Sequence, residues 1–334
     1  MNVLSLFDGM SCGQIALKEL GIIPQVYYAS EIDKHAIKQT QLNFPNTVQI
    51  GDVTKWRDWD IDWSSIDLML AGSPCQGFSL AGKQLAFDDP RSKLFFVFID
   101  VLNHCKLSNP NVKFLLENVN MKQEYMRIIS EYCGVFPVNI NSNLVSAQNR
   151  NRWYWTNIRT KQVGLFKEVY SDIPQPKDRG ITLRDILESE VDEKYYATSK
   201  CLEYITKEFR LKRGYTQIDS KNKSLCLMAR SYTNLTGDYV CVAMRGREDG
   251  LQHFEPQHTG KTNCLTSVQK DNMILKHDYD KGNRIRRLTP TECSRLQTIP
   301  AWYKWGCSDS AIYKMLGNGW TVEVIKHILS YLKY

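Results

Sequence analysis

Ala71-Gly72-Ser73-Pro74-Cys75-Gln76-Gly77-Phe78-Ser79 is the stretch from which the rest of the 334-residue chain can be read. It follows the apolar run Ile66 to Leu70, which predicts a buried parallel strand, so Pro74 and Cys75 fall where a strand opens into a loop. In open α/β sheets ligands bind at that edge. A cysteine becomes a nucleophile as a thiolate with solvent access, whereas a structural cysteine is buried within an element. The position of Cys75 favours the first.

Upstream, Asn2 to Phe7 predicts a strand that breaks at Asp8-Gly9-Met10-Ser11, after which Ile15, Ala16, Leu17 and Leu20 recur at helical spacing until Gly21. A strand, tight turn and helix present backbone N–H groups to a nucleotide-like ligand. Only Gly9 and Gly13 are available, so no G-x-G-x-x-G can be written; this argues against a nicotinamide dinucleotide and leaves S-adenosylmethionine open. A second strand, Val26 to Ser30, ends on Glu31, about 20 residues beyond the turn, where a carboxylate can accept from two ribose hydroxyls. A third run, Thr47 to Ile50, ends at Gly51-Asp52-Val53. Each acid alone is equally well a strand-end turn residue or a helix cap. The order turn, Glu, Asp is harder to obtain by accident.

Downstream of Cys75 lies a loop, Gln76 to Pro90, then a helical run from Arg91 through Leu102. A loop of that length is more often functional than not. Phe114-Leu115-Leu116-Glu117-Asn118-Val119 predicts a strand ending on an acid whose burial would raise its pKa and suit it to donate a proton. The bland alternative is a cap for a helix over Met121 to Tyr132. In Gln148-Asn149-Arg150-Asn151-Arg152 the two arginines share a strand face and can meet an anion or a base carbonyl, unless this is a plain basic turn.

From about Lys161 the character changes. Pro174 and Pro176 mark a linker, Leu183 to Ser189 reads as helix, and basic residues crowd Lys207 to Arg230. Ala243 to Gly250 and Ser267 to Asn272 read as exposed loops. Order returns where Thr289 can cap a helix with Pro290 at its first position, and where Leu316-Gly317-Asn318-Gly319-Trp320 precedes an amphipathic helix, Val322 to Leu332. That Gly-Asn-Gly turn offers free N–H groups to a ligand, or is only a helix start.

The length suits two domains. A formal charge of +7 with six His uncounted suits a polyanionic partner, and many other enzymes equally. Ten scattered cysteines with no Cys-x-x-Cys suggest neither a disulfide framework nor a metal site, and the reduced cytosol follows. No run approaches the roughly 20 apolar residues of a membrane span, and the N-terminal apolar run is too short for a signal peptide.

Taken in order, Phe7-Asp8-Gly9, Glu31, Asp52, Ser73-Pro74-Cys75-Gln76, Glu117-Asn118-Val119, Gln148-x-Arg150-x-Arg152, Arg287-Leu288-Thr289-Pro290-x-Glu292 and Gly317-Asn318-Gly319 resemble the sequence blocks of the DNA (cytosine-5) methyltransferases. The resemblance spans about residues 1–160 and 285–334. Its Phe-Asp-Gly turn also resembles the de novo branch of the vertebrate enzymes. Trp320 stands where a small residue often follows, which would reshape the pocket near the methionine end of the cofactor.

The resemblance implies a doubly wound, mixed, Rossmann-like α/β sheet with a second, smaller target-recognition domain: residues 1–190 plus 301–334 for catalysis and cofactor, 191–300 for DNA. It implies methyl transfer from S-adenosylmethionine to C5 of a cytosine. That carbon is a poor nucleophile until something adds at C6, so the chemistry needs a thiolate, an acid near N3, a positive group near O2 and an electrophilic methyl. By resemblance Cys75 attacks C6, Glu117 serves N3 and the exocyclic amine, and Arg152 holds O2, with Arg150 and Asn118 supporting the pocket. The cofactor set would be Phe7, Asp8, Gly9, Met10, Ser11, Glu31, Ile32, Asp52, Val53, Gly72, Pro74, Leu94, Asn318 and Trp320. No metal is implied. A stacked base must be flipped out, which calls for a closing loop with Gln76, Ser79, Lys83, Gln84 and Arg91, and for groove-reading residues, here Arg245, Arg247, Gln269 and Lys270. Double-stranded DNA is the implied partner and a cognate restriction endonuclease a functional one, for a monomer in the cytoplasm of a bacterial or phage-infected cell, at the nucleoid. The competing functions are the same chemistry on a transfer RNA cytosine, and a catalytically silent DNA-binding paralogue.

Overall fold

The computed structural model describes residues 1–73, 93–197, 240–246, 252–257, 262–263, 265, 273–278 and 282–333. Pro74, Cys75, Gln76, Ser79, Lys83, Gln84, Arg91, Arg247, Gln269 and Lys270 lie outside the described residues, as does the basic stretch 207–230.

In chain order the first half comprises β1 (Asn2–Leu6), α1 (Cys12–Glu19), β2 (Val26–Ser30), α2 (Lys34–Asn43), β3 (Val48–Gln49), β4 (Ile66–Ala71), α3 (Lys93–Ser108), β5 (Lys113–Val119) and α4 (Gln123–Cys133). Then come β6 (Val138–Asn141), β7 (Gln148–Asn149), β8 (Asn151–Thr156), the hairpin β9 (Thr160–Val163) and β10 (Glu168–Ser171), and α5 (Leu183–Ile186). The last part holds β11 (Val240–Gly246), β12 (Gln252–Gln257), β13 (Thr262–Asn263), β14 (Met273–Asp278), β15 (Gly282–Arg287), α6 (Pro290–Leu296), α7 (Asp309–Asn318) and α8 (Val322–Leu329).

Seven strands form one sheet in the order β3-β2-β1-β4-β5-β8-β6. The first five run parallel, with Leu6 opposite both Ser30 and Ala71, and β8 returns antiparallel to β5. Side chains alternate across a strand, so each central strand feeds two cores. Val3, Leu68, Leu70 and Leu115 face Ile15 and Ala16 of α1 and Val324, Ile325 and Ile328 of α8. Leu4, Leu6, Met69 and Leu116 face Phe95, Phe98, Ile99 and Leu102 of α3. Burial on both faces explains why these strands read as unbroken apolar runs. The order reverses between β1 and β4, and the carboxyl ends of β1, β2, β4 and β5 meet at that switch point. A second, antiparallel sheet has the order β12-β11-β14-β15.

Several expected boundaries move. Helix α4 starts after Lys122, the third strand keeps two residues, the helix expected over Leu183 to Ser189 is a single turn, and the final helix stops at Leu329. Ala243 to Gly246 is strand, not loop, because its backbone pairs antiparallel with β12. Gly317 and Asn318 are the end of α7, and the Gly319 N–H is taken up by the Met315 carbonyl instead of standing free. Helix α6, numbered within 191–300, packs Cys293 and Leu296 into the same core as α1 and α8. Among the described residues no helix is long and apolar enough to cross a membrane, and no group of three His, Cys, Asp or Glu is placed to hold a metal.

Candidate active site

β1 delivers the chain into a turn where Phe7, Gly9 and Ser11 all have left-handed φ, at 57°, 59° and 65°. Two of the three are not glycine, so strain is stored there and the fold around it must hold it. Glu31, at the tip of β2, does so: its Oε2 accepts from the Gly9 N–H at 2.8 Å and its Oε1 from the N–H groups of Ile32 and Asp33. Asp52 accepts from the Thr54 N–H at 2.9 Å. Both acids are therefore turn residues, as their bland alternative has it. Both also line a cavity of about 650 Å³ at the switch point.

Of the expected cofactor residues, Phe7, Asp8, Gly9, Glu31, Ile32, Asp52, Val53, Gly72, Leu94, Asn318 and Trp320 line that cavity, together with Glu117, Arg150 and Arg152. Ile32 leaves 72% of its surface exposed. Met10 and Ser11 do not line it. The turn rotates them inward, where Met10 joins the core and the Ser11 hydroxyl donates to Gln14. Asn118 is buried behind the wall and donates to the Ser73 hydroxyl at 3.3 Å.

Glu117 is not the cap of α4, whose first turn is preceded by Lys122. Nor is it an isolated acid among apolar neighbours. Antiparallel pairing of β5 with β8 sets Val119 opposite Arg152, and Arg152 Nε stands 3.0 Å from Glu117 Oε1 in an ion pair whose angle falls short of a hydrogen bond. The Trp320 indole donates to Oε2 at 3.2 Å. Arg150 lies between β7 and β8, and its guanidinium is taken up by backbone carbonyls. It is 3% exposed and donates to the carbonyls of Leu265 at 3.1 Å, Gly317 at 3.4 Å and Gly319 at 2.7 Å. Buried donors take the acceptors at hand, so Arg150 ties the end of α7 and the turn after it to Leu265.

Sequence reasoning missed Asp33 and Lys314, which pair at 2.6 Å on the cavity wall; the Lys314 ammonium holds the Asp33 carboxyl below its usual range. It also missed Tyr27, whose hydroxyl donates to Asp8 Oδ1 at 2.8 Å. No local pattern marks these residues. Asp8 Oδ2 is buried with no hydrogen-bond partner among the described residues. Burial pushes the Asp8 carboxyl up to about 6, against the hydroxyls of Ser5, Ser11 and Tyr27, which pull it down. Between its ordinary 3.8 and about 6 the folded protein holds more protons than the unfolded chain, so this group lowers stability as pH rises through that window. Asp8→Asn is expected to be more stable than wild type above pH 6 by on the order of 1 kcal/mol, discounted for partial solvent access, with no gain below the ordinary carboxylate pKa. Urea denaturation across that range checks it.

The sequence profile described as C-5 cytosine-specific DNA methylase matches residues 1–333. The chain belongs to that family. As a DNA (cytosine-5) methyltransferase it is similar to the type II methyltransferase M.DsaV of Dactylococcopsis salina, with 30% identity over 99% of this chain and 87% of the relative. It is 29% identical to the type II methyltransferase M.HpaII of Haemophilus parainfluenzae, over 97% of this chain and 86% of the other. Among solved structures, the Entamoeba histolytica methyltransferase EhMeth superposes with a TM-score of 0.63 at 16% identity, covering 99% of this chain and 97% of that one. The Dnmt2 methyltransferase of S. pombe gives 0.57 at 18% identity, covering 100% of both. At such identity these structures speak for the methyltransferase fold alone.

Proposed function

We propose that this methyltransferase uses S-adenosylmethionine to methylate C5 of a cytosine flipped out of a short specific site in double-stranded DNA, through a covalent bond between Cys75 and C6. The observation that carries the proposal is the lining of one cavity by the Glu117–Arg152 pair together with Leu94 and with Ser73, which lies two residues before Cys75 in the sequence. Arg152 supplies positive charge for O2. Glu117 supplies a carboxyl for N3 and the exocyclic amine. Arg150 and Asn118 hold the walls, and the thiolate of Cys75 adds at C6, later leaving when the C5 proton is lost.

S-adenosylmethionine, when bound, supplies the electrophilic methyl. Support for it lies in the cavity volume, the exposed Ile32 that lines the cavity with Glu31 and Asp52, and the unfilled acceptor on Asp8, which suits a cationic amino-acid end. Residues 1–190 with 301–334 would form the catalytic body, and 191–300 the recognition part, with α6 packed on the former. The protein would act as a monomer at the nucleoid, with any cognate endonuclease a functional partner only.

Labelled methyl transfer to unmethylated duplex DNA, beside total transfer RNA, tests the proposal. The expected product is 5-methylcytosine in the duplex at one short sequence, read by bisulfite sequencing. Label on RNA alone would move the substrate to transfer RNA, and duplex binding without transfer would mark a silent binder.

A further inference from the structure

Trp320 does more than close one end of the cavity. Its ring is 8% exposed, and an indole N–H is a donor only, so once buried it needs an acceptor. The acceptor is Oε2 of Glu117, at 3.2 Å, while Arg152 meets Oε1. The two oxygens of one carboxylate are thus held from different elements, one from β8 and one from the turn between α7 and α8. A carboxylate fixed at both oxygens keeps one rotamer, where a single contact would let it swing.

The ring is seated against Gly72. A Cβ at Gly72 would come within 2.9 Å of the Trp320 Nε1 and 3.3 Å of Cε2 and Cζ2. Gly72 directly follows β4 and precedes Ser73, and both line the cavity. Its lack of a side chain is explained by room for the indole nitrogen, the atom that touches Glu117.

We infer that Trp320 is a positioning residue that acts through its N–H on Glu117 Oε2, setting the orientation in which that carboxyl meets the target base, and that Gly72 is the residue that admits it. The inference rests on the role proposed for Glu117. A tryptophan that served only as a cofactor wall would need its aromatic face and not its N–H. Phenylalanine keeps the face and removes the donor.

With saturating cofactor and duplex DNA, Trp320→Phe is expected to lower kcat by on the order of 10-fold. The Kd for S-adenosylhomocysteine, from calorimetric titration, and Tm should stay at wild-type values. Gly72→Ala should give a drop of the same order in the wild-type background and much less beside Trp320→Phe, because the atom its methyl meets first is gone. The inference is overturned if Trp320→Phe keeps its kcat, if its defect lies in cofactor Kd alone, or if the two substitutions multiply. Should Trp320→Phe not fold, Gly72→Ala alone decides, and wild-type kcat there overturns the inference. Glu117→Gln run in parallel separates the two levels. Full activity in it removes the proposed role of Glu117 and this inference with it, whereas an inactive Glu117→Gln beside a fully active Trp320→Phe overturns this inference alone.

Discussion

Alanine at Cys75 is expected to lower methyl transfer to duplex DNA by on the order of 10⁴-fold or more, while duplex and cofactor affinity stay within a few-fold of wild type. Without an addition at C6, C5 of cytosine has too little electron density to attack a methyl group, so the loss falls on the chemical step and not on binding. Cys12 lines the candidate active-site cavity, yet burial pushes its thiol up to about 12, so it holds almost no thiolate near neutrality. Burial does the same to Cys105 in α3 and Cys133 at the end of α4. Single-turnover transfer of labelled methyl, with duplex binding measured by anisotropy, checks the prediction. Transfer at the wild-type rate by Cys75→Ala would remove the thiolate from the mechanism.

What was legible in the sequence follows from how each element is buried. β1, β4 and β5 have helices on both faces, so their apolar runs announce parallel strands without help from tertiary context. Glu31, just beyond β2, and Glu117, inside β5, stand out because a carboxylate next to such a run must have a partner. β6 was not legible: in Val138-Asn139-Ile140-Asn141 only Ile140 is fully buried, and its place in the sheet is set by pairing with β8. The strand nature of β11 was obscured by the Arg245-Gly246-Arg247 sequence that follows its apolar part. The turn before α8 misled for another reason. Gly317-Asn318-Gly319 has the composition of an open loop, but what the carbonyls of Gly317 and Gly319 bind is decided by Arg150 and Gln297, distant in the chain. The positions of Arg150, Asp8 and Trp320 depend on such remote partners, which residue spacing does not encode.

The largest stability effect is expected where the two sheets are tied together. Arg286, at the end of β15, is 2% exposed and Glu292, in α6, is fully buried; they face each other through paired contacts of 2.8 Å from NH1 to Oε2 and from NH2 to Oε1. Glu292 also accepts from the N–H of Thr289, closing a capping box with it, and from that of Glu188 beyond α5. Every contact of the carboxylate is charge-assisted, so its desolvation is offset only while all the donors remain. Glu292→Ala leaves a buried guanidinium and two backbone donors without their acceptor, and is expected to cost about 3–5 kcal/mol. For a chain of this size that lowers Tm by on the order of 10 °C, measurable by calorimetry. Arg286→Met alone strands the carboxylate and should cost a similar amount, but combined with Glu292→Met it should recover part of the loss, because the mutual desolvation disappears with both charges. The residual deficit of the double variant measures what the Thr289 and Glu188 contacts contribute. If the single substitutions change Tm by less than about 2 °C, the pair is not what joins β15 to the catalytic core, and the junction must be held instead by the apolar packing of Leu288, Cys293 and Leu296.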